Sequence, residues 1–304
     1  LKAEPRRGLK PSGYQRLTGG RVSAIMDVGP APEAAPETGH ASALAIELWA
    51  GRRRVGVNCG SGAHLGADWE RSMRRAEAQS TLTLAGEPFA APVVRYGAFG
   101  GEEDRAVIGP PSVAAERREE TGGVWAVGAH DGYLAKAGGM LTRRLFLSAD
   151  GGDLRGEDSA IVEEGSEAVF EKRLARLPAR EREGGLRFEA RFHLHPDVSA
   201  AMVADGEAVT LKLPHGEIWV MRQAGGRIAM GPSVYLGRAA KPEDTQQIIL
   251  TAEARRNKTQ IRWAFRRVGE IGQLPKDLDS LLRQWDIDPV EEAERELTAP
   301  PFTS

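Results

Sequence analysis

Along much of the chain apolar residues recur at every second position, the period of a β-strand with one buried face. The clearest run is 186–194, where Leu186, Phe188, Ala190, Phe192 and Leu194 share one face and Arg187, Glu189, Arg191 and His193, with His195 just beyond, share the other. Shorter alternating runs come in pairs around turn residues. Gly13–Leu17 and Val22–Val28 flank Gly19-Gly20, Val209–Leu213 and Ile218–Met221 flank Pro214-His215-Gly216, and Ile248–Ala254 and Gln260–Val268 flank Arg256-Asn257-Lys258. Leu141–Ser148 turns at Asp150-Gly151-Gly152, and Val93–Ala98 has strand composition. Consecutive hairpins with short turns predict an all-β fold, a large antiparallel β-sandwich packed in layers. Between the strands, Trp69–Ala78 reads as briefly helical or irregular, Gly100–Pro111 as a charged loop, and Glu163–Glu183 as a solvated excursion with room for a short helix.

Three short pieces attract attention together: Thr38–Leu48, Arg54–Gly60 and Ala78–Leu84. In the first, Leu44, Ile46 and Leu48 fall on one face and Ala43, Ala45 and Glu47 on the other. Paired as neighbours, the three would gather His40, Asn58 and Gln79 at one end of a sheet.

Composition narrows the picture. The 304 residues allow one large sandwich with appendages. Residues 1–12 are basic, carry Pro5 and Pro11, and read as a connector; residues 13–270 hold the sandwich; residues 271–304 read as a short helical or partly disordered tail, with Asp277 and Asp288 as caps. With 41 Lys and Arg against 43 Asp and Glu, the formal charge of -2 gives no reason to expect nucleic acid as a partner, although local basic patches still suit an acidic polymer. Cys59 is the only cysteine, which excludes an intrachain disulfide and a Cys-based zinc site. No apolar run reaches the roughly 18 residues of a membrane span. The chain starts at Leu1 without an apolar signal segment, so the expectation is a fragment of a longer protein.

Six phrases in order carry a resemblance: Gly39–Leu48, Val57-Asn58-Cys59-Gly60-Ser61, Ser80-Thr81-Leu82-Thr83, Ala129-His130-Asp131-Gly132-Tyr133, Leu154-Arg155-Gly156-Glu157-Asp158 and Phe192-His193-Leu194-His195-Pro196. Over about Gly13 to Val268 the chain resembles the C-terminal β domain of the heparinase II/III family of polysaccharide lyases, especially the shorter bacterial members. That resemblance implies a supersandwich-like β domain and an acidic, uronate-containing polysaccharide as substrate. It also implies a cleft shared with an N-terminal helical toroid of the same parent chain, and the periplasm or cell envelope rather than the cytoplasm. In the family the toroid supplies a catalytic Tyr and a carboxylate-binding Asn, while the β domain supplies histidines and, in characterised members, a structural metal ion. Nothing here has the long amphipathic helices of a toroid, so this chain is not expected to be active alone.

The resemblance places His40 at a family histidine, as a catalytic group or a metal ligand; a turn histidine donating to a nearby carbonyl is the alternative. Asn58 stands where better-known members carry an acidic metal ligand, and Gln79 where the family has His. Asn is a poor zinc ligand and an amide nitrogen cannot replace imidazole, so the expected pocket is metal-free or holds zinc only at low occupancy. Gln79, Arg75 and His130 are the candidate substrate contacts. His130-Asp131 also offers an imidazole with a neighbouring carboxylate, and His193 and His195 leave the same strand face at a spacing that metal sites use. Arg52-Arg53-Arg54, Arg74-Arg75 and Arg143-Arg144 are either anion contacts or solvated turn charges. Trp49, Trp69, Trp125 and Trp219 are either sugar platforms or core.

Two functions follow. One is the β domain of a lyase that acts by β-elimination on an acidic polysaccharide; the other is a non-catalytic glycan-binding or structural module, with Gln79 as the mark of lost chemistry. A hydrolase built on His130 and Asp131 ranks below both because no nucleophile accompanies it.

Overall fold

The computed structural model describes residues 12–30, 39–86, 92–96, 102–107, 112–237 and 241–270. In its first half the strands are β1 (Tyr14–Gly19), β2 (Val22–Asp27), β3 (Ile46–Ala50), β4 (Arg53–Val57), β5 (Leu82–Leu84), β6 (Pro92–Tyr96), β7 (Glu102–Val107), β8 (Val113–Glu120) and β9 (Gly123–His130). The second half contributes β10 (Gly139–Ser148), β11 (Asp153–Val162), β12 (Leu186–Leu194), β13 (Ser199–Val203), β14 (Ala208–Lys212), β15 (Glu217–Ala224), β16 (Arg227–Tyr235), β17 (Glu243–Ala254) and β18 (Thr259–Glu270). Four short helices interrupt them: α1 (Ala67–Met73), α2 (Leu134–Ala137), α3 (Glu167–Leu174) and α4 (Ala179–Arg182).

Two antiparallel sheets result, as the alternation predicts. The first runs β1-β2-β3-β4-β12-β17-β16 with β5 also on β12; the second runs β13-β14-β15-β18-β11-β10-β9-β8, while β6 and β7 pair with each other. The apolar faces meet in one core that draws Leu48, Phe188, Phe192 and Leu250 from the first sheet and Leu145, Trp219, Trp263 and Phe265 from the second. The strand predicted most firmly, β12, is central: Phe188, Ala190, Phe192 and Leu194 all face this core. Where hairpin tips meet, backbone touches backbone. Gly20, at φ +51°, donates its N–H to Ala149 O at 2.9 Å, and a Cβ there would stand 2.2 Å from Asp150 O.

A charged pair lies inside this apolar core. Arg143 on β10 and Asp158 on β11 face each other across the ladder, both side chains 0% exposed, with Nε and Nη2 on the two carboxylate oxygens at 2.7 and 2.8 Å. Trp263 Nε1 donates to Asp158 Oδ2 at 2.7 Å. Arg143 Nη1 reaches the other sheet and donates to Leu44 O and Ser80 O, each at 2.9 Å. Its guanidinium lies 5.4 Å from the Phe192 ring centroid and 5.8 Å from that of Trp263. Arg143 is thus neither a glycan contact nor a solvated turn charge, as the sequence reading had it.

A smaller apolar cluster covers the outer face of the first sheet, where Cys59, Met73, Ala78 and Leu236 are buried with Trp69 and Val234 against them. His193 sits beneath it. Glu77 O accepts from its Nε2 at 3.0 Å, so Nδ1 is the acceptor for Ser233 Oγ at 2.7 Å. Burial, then the Arg191 charge, pushes this imidazole down to about 4.

Several sequence expectations need correction. Of the piece expected as a strand from Thr38 to Leu48, Thr38 lies outside the described residues and the rest becomes a strand only at Ile46; Leu44 takes φ +60°, which a continuing strand does not allow. The Ala78–Leu84 piece does not pair with its neighbour. Only Leu82–Leu84 is a strand, and it pairs with Phe188–Ala190 of β12, whereas β4 meets the same strand at His193 and Leu194. The charged loop expected at 100–111 contains β7, whereas the stretch after Glu163, expected to have room for a short helix, does hold short helices, α3 and α4. The connector at 1–12, except its last residue, and the tail at 271–304 lie outside the described residues.

Two stability predictions follow. Arg143→Met leaves Asp158 buried without its partner and should cost about 3–5 kcal/mol in urea unfolding, with Asp158→Leu in the same chain recovering part of the loss. His193 has a folded pKa below that of the unfolded chain, so unfolding takes up a proton between them. Its contribution, roughly 3 kcal/mol, is full above about pH 6.5 and lost as pH falls toward about 4. Melts across that window should steepen in wild type and flatten in His193→Gln.

Candidate functional site

The site is built where irregular backbone enters and leaves the first sheet. Residues 39–45 precede β3, α1 with the turn at Ala76–Ala78 follows β4, and both are pinned to each other. Arg74, 3% exposed, donates from Nε to Gly39 O at 2.9 Å, and Ala41 N–H donates to Arg74 O at 2.8 Å. His40 therefore stands against the end of α1.

His40 Nδ1 lies 3.0 Å from Met73 O, and Gln79 Nε2 donates to the same oxygen at 2.7 Å. A carbonyl only accepts, so Nδ1 carries the proton and Nε2 presents its lone pair. The two donors crowd to 3.4 Å of each other. Burial pushes the half-buried His40 imidazole below the ordinary histidine value, the Met73 carbonyl opposes this, and the Arg74 charge adds to the lowering. The ring is neutral at pH 7.

Asn58 joins through the residue after Gln79. Its Oδ1 accepts from Ser80 N–H at 2.8 Å, and its Nδ2 donates to Glu47 Oε1 at 3.4 Å. Ser80 Oγ in turn donates to Val57 O at 2.6 Å and accepts from His193 N–H at 2.9 Å, standing in for a rung where β4 parts from β12. The structure thus brings His40 and Gln79 into contact and ties Asn58 to them through Ser80.

The remaining candidates divide. Arg75 is exposed beside this site and paired with Glu77 at 3.2 Å, which raises its pKa. His130 is not brought there. It ends β9 in the second sheet, 0% exposed, its Nδ1 accepts from Gly132 N–H at 3.2 Å, and burial pushes it down to about 3. The Asp131 Oδ1 accepts from Ser112 N–H at 2.9 Å and fixes the start of β8. His195 is buried edge-on to Tyr235 and its Nδ1 accepts from Asp197 N–H at 3.2 Å, while both nitrogens of His193 are engaged by Ser233 and Glu77. Trp125 and Trp219 are core, while Trp49 is half-buried with Arg54 5.5 Å above its ring.

Sequence reasoning missed Asp27 and Ser42. Ser42 Oγ donates to Asp27 Oδ2 at 2.6 Å and approaches His40 O at 3.4 Å, and Asp27, its pKa raised by burial, also caps Gly29 N–H. Asp27 and Glu47 occupy alternating polar positions on β2 and β3, a pattern any solvated face shares, so nothing local marked them.

The residues present do not fit the zinc site that the family resemblance implies. The oxygen of Asn58 is taken by Ser80, Nδ1 of His40 by Met73, and Gln79 offers an amide. Among the described residues no three His, Cys, Asp or Glu side chains converge on one point.

Comparison with known proteins bears on the family and the fold. The family described as heparinase II/III-like, C-terminal, matches residues 2–264. FtsZ-localized protein C of Caulobacter vibrioides is 33% identical over 264 residues, which cover 83% of this chain and 42% of that protein. The heparan sulfate lyase HepC of Pedobacter heparinus shares the fold at a TM-score of 0.61 and 10% identity, over 85% of this chain and 35% of that one. A heparinase III structure does so at a TM-score of 0.62 and 12% identity, over 90% and 38%. The chain spans less than half the length of these relatives. With its sandwich of two antiparallel sheets and a profile match over nearly all of its length, this chain belongs to the heparinase II/III-like C-terminal family.

Proposed function

We propose that the chain is the β-sandwich part of a heparinase II/III-like protein that cleaves an acidic polysaccharide by β-elimination, completed by a helical toroid of the same protein. The carrying observation is His40: its Nδ1–H is fixed on Met73 O, its Nε2 has no hydrogen bond among the described residues, and burial keeps the ring neutral. Elimination needs a neutralised sugar carboxylate, a base for the adjacent proton and an acid for the departing oxygen. A neutral imidazole held at one nitrogen serves as the base or, once protonated, as the acid. Arg75, exposed beside it, keeps its Nε and Nη2 on Glu77 and has Nη1 left to meet a uronate or sulfate, and Gln79 fixes the carbonyl that orients His40.

A second reading has a specific observation behind it. Gln79 stands where the resemblance places a histidine, and FtsZ-localized protein C carries FtsZ in its name, which suits a non-catalytic glycan-binding module in a protein recruited to the same place. The whole parent protein, incubated with heparin or alginate, distinguishes the two through the absorbance of the unsaturated uronate product. The lyase reading expects product, a loss of about 10²–10⁴-fold in kcat for His40→Ala, and a rate that falls as pH drops through the lowered His40 pKa, below about 6.5. Binding without product on any acidic polymer gives the second reading instead.

A further inference from the structure

Beside the end of β5, α2 and α3 wall a groove of about 580 Å³ lined by Lys136, Lys172, Arg173 and Arg176 over a floor that includes Ala168 and Val169. No carboxylate lines it among the described residues. The charge is sorted by helical spacing. Residues 168, 169, 172, 173 and 176 form one stripe along α3 and just past its end, whereas Glu171 points the other way and accepts from Arg256 Nε at 2.6 Å. Arg173 is anchored by donating to Ala85 O at 3.0 Å, which sets the groove against the end of β5. Lys172 and Arg176 are exposed.

We infer that this groove is a second binding site, for the sulfate or carboxylate groups of an acidic polysaccharide, separate from the site at His40. A concave surface lined by one sign of charge concentrates a polyanion, and guanidinium forks match sulfate and carboxylate. Lys172 and Arg176 stand one helical turn apart, about 6 Å by the rise per residue, which suits successive charges on a linear polymer. The lining has no aromatic ring on which a nucleic-acid base would stack, and its concavity does not suit a flat membrane surface. Against β12 the groove's anchor at Ala85 lies at Arg187 and the His40 cluster near His193, six residues or roughly 20 Å along the strand. The ligand class rests on the function proposed above; the site does not. It would hold a long chain while another part of that chain is cleaved or bound elsewhere.

A heparin oligosaccharide of defined size, titrated calorimetrically into the 304-residue chain at low salt, tests this. Lys172→Glu with Arg176→Glu should weaken binding about tenfold or more without changing the melting temperature, and raised salt should weaken the wild-type complex; His40→Ala should stay within about twofold. Binding that survives the double change, or that is lost in His40→Ala instead, overturns the second site and leaves the proposed function standing. Groove-dependent binding by a parent protein that yields no elimination product does the reverse. No binding of the oligosaccharide by wild type, or Lys172- and Arg176-dependent binding of only inorganic pyrophosphate or phosphatidylglycerol vesicles, also overturns it.

Discussion

The position of the candidate site depends on one buried cation. Arg143 is fixed in the second sheet by a two-pronged pair with Asp158, itself held by Trp263, and spends its remaining donor on two carbonyls of the first sheet. Those carbonyls belong to Leu44 and Ser80, in the two irregular segments that carry His40 and Gln79. Irregular backbone inside a core carries oxygens with no ladder partner, and an oxygen without a donor there costs about 1–3 kcal/mol. A guanidinium with five donors satisfies several acceptors from one point. An aliphatic residue at 143 would fill the space but take a donor from both carbonyls, leaving Ser80 O with the Ile46 N–H alone at 3.1 Å, so the ion pair is better understood as setting geometry than as adding stability.

From that point outward the site is assembled by substitution of side chains for backbone. Ser80 replaces a rung between β4 and β12, Asn58 takes the N–H of Ser80, and Met73 O collects both His40 and Gln79. β12 is forked as a result, with β5 on its first half and β4 on its last two residues. The fork is what lets a short helical insertion cover His193 while leaving His40 half-exposed. Gly156 shows the same economy of space deeper in: its missing Cβ makes room for the Trp263 ring, which would otherwise stand 2.1 Å away.

The layers were legible in the sequence because period-2 alternation reports directly on which face is buried, and β12 is the plainest case. What was not legible is whatever depends on contact between distant segments. Arg143 looks like any charged residue of a hairpin strand; only Asp158 fifteen residues on, opposite it in register, makes its burial tolerable. His130 and Asp131 look like a dyad because they are adjacent, yet neighbours in a chain leaving a strand point apart, and each finds a different backbone N–H. His40 and Gln79 met as expected, though for a reason other than neighbouring strands: a shared carbonyl rather than a shared ladder brings them together.

That difference bears on the chemistry. Two imidazoles on adjacent strands would repel when protonated and would invite a metal, whereas one imidazole and one amide on a common acceptor do neither. The amide has no second protonation state in this range, so only the imidazole titrates, and its tautomer is set by Met73 O at every pH at which the ring is neutral. With Asp27 and Glu47 among its polar neighbours, this end of the sandwich attracts an anionic sugar less than the four cations of the α2–α3 groove do. On the function proposed above, affinity for an acidic chain and proton transfer to it would be tasks of different surfaces. A polymer long enough to span both would satisfy the two together, because tethering at one raises its effective concentration at the other.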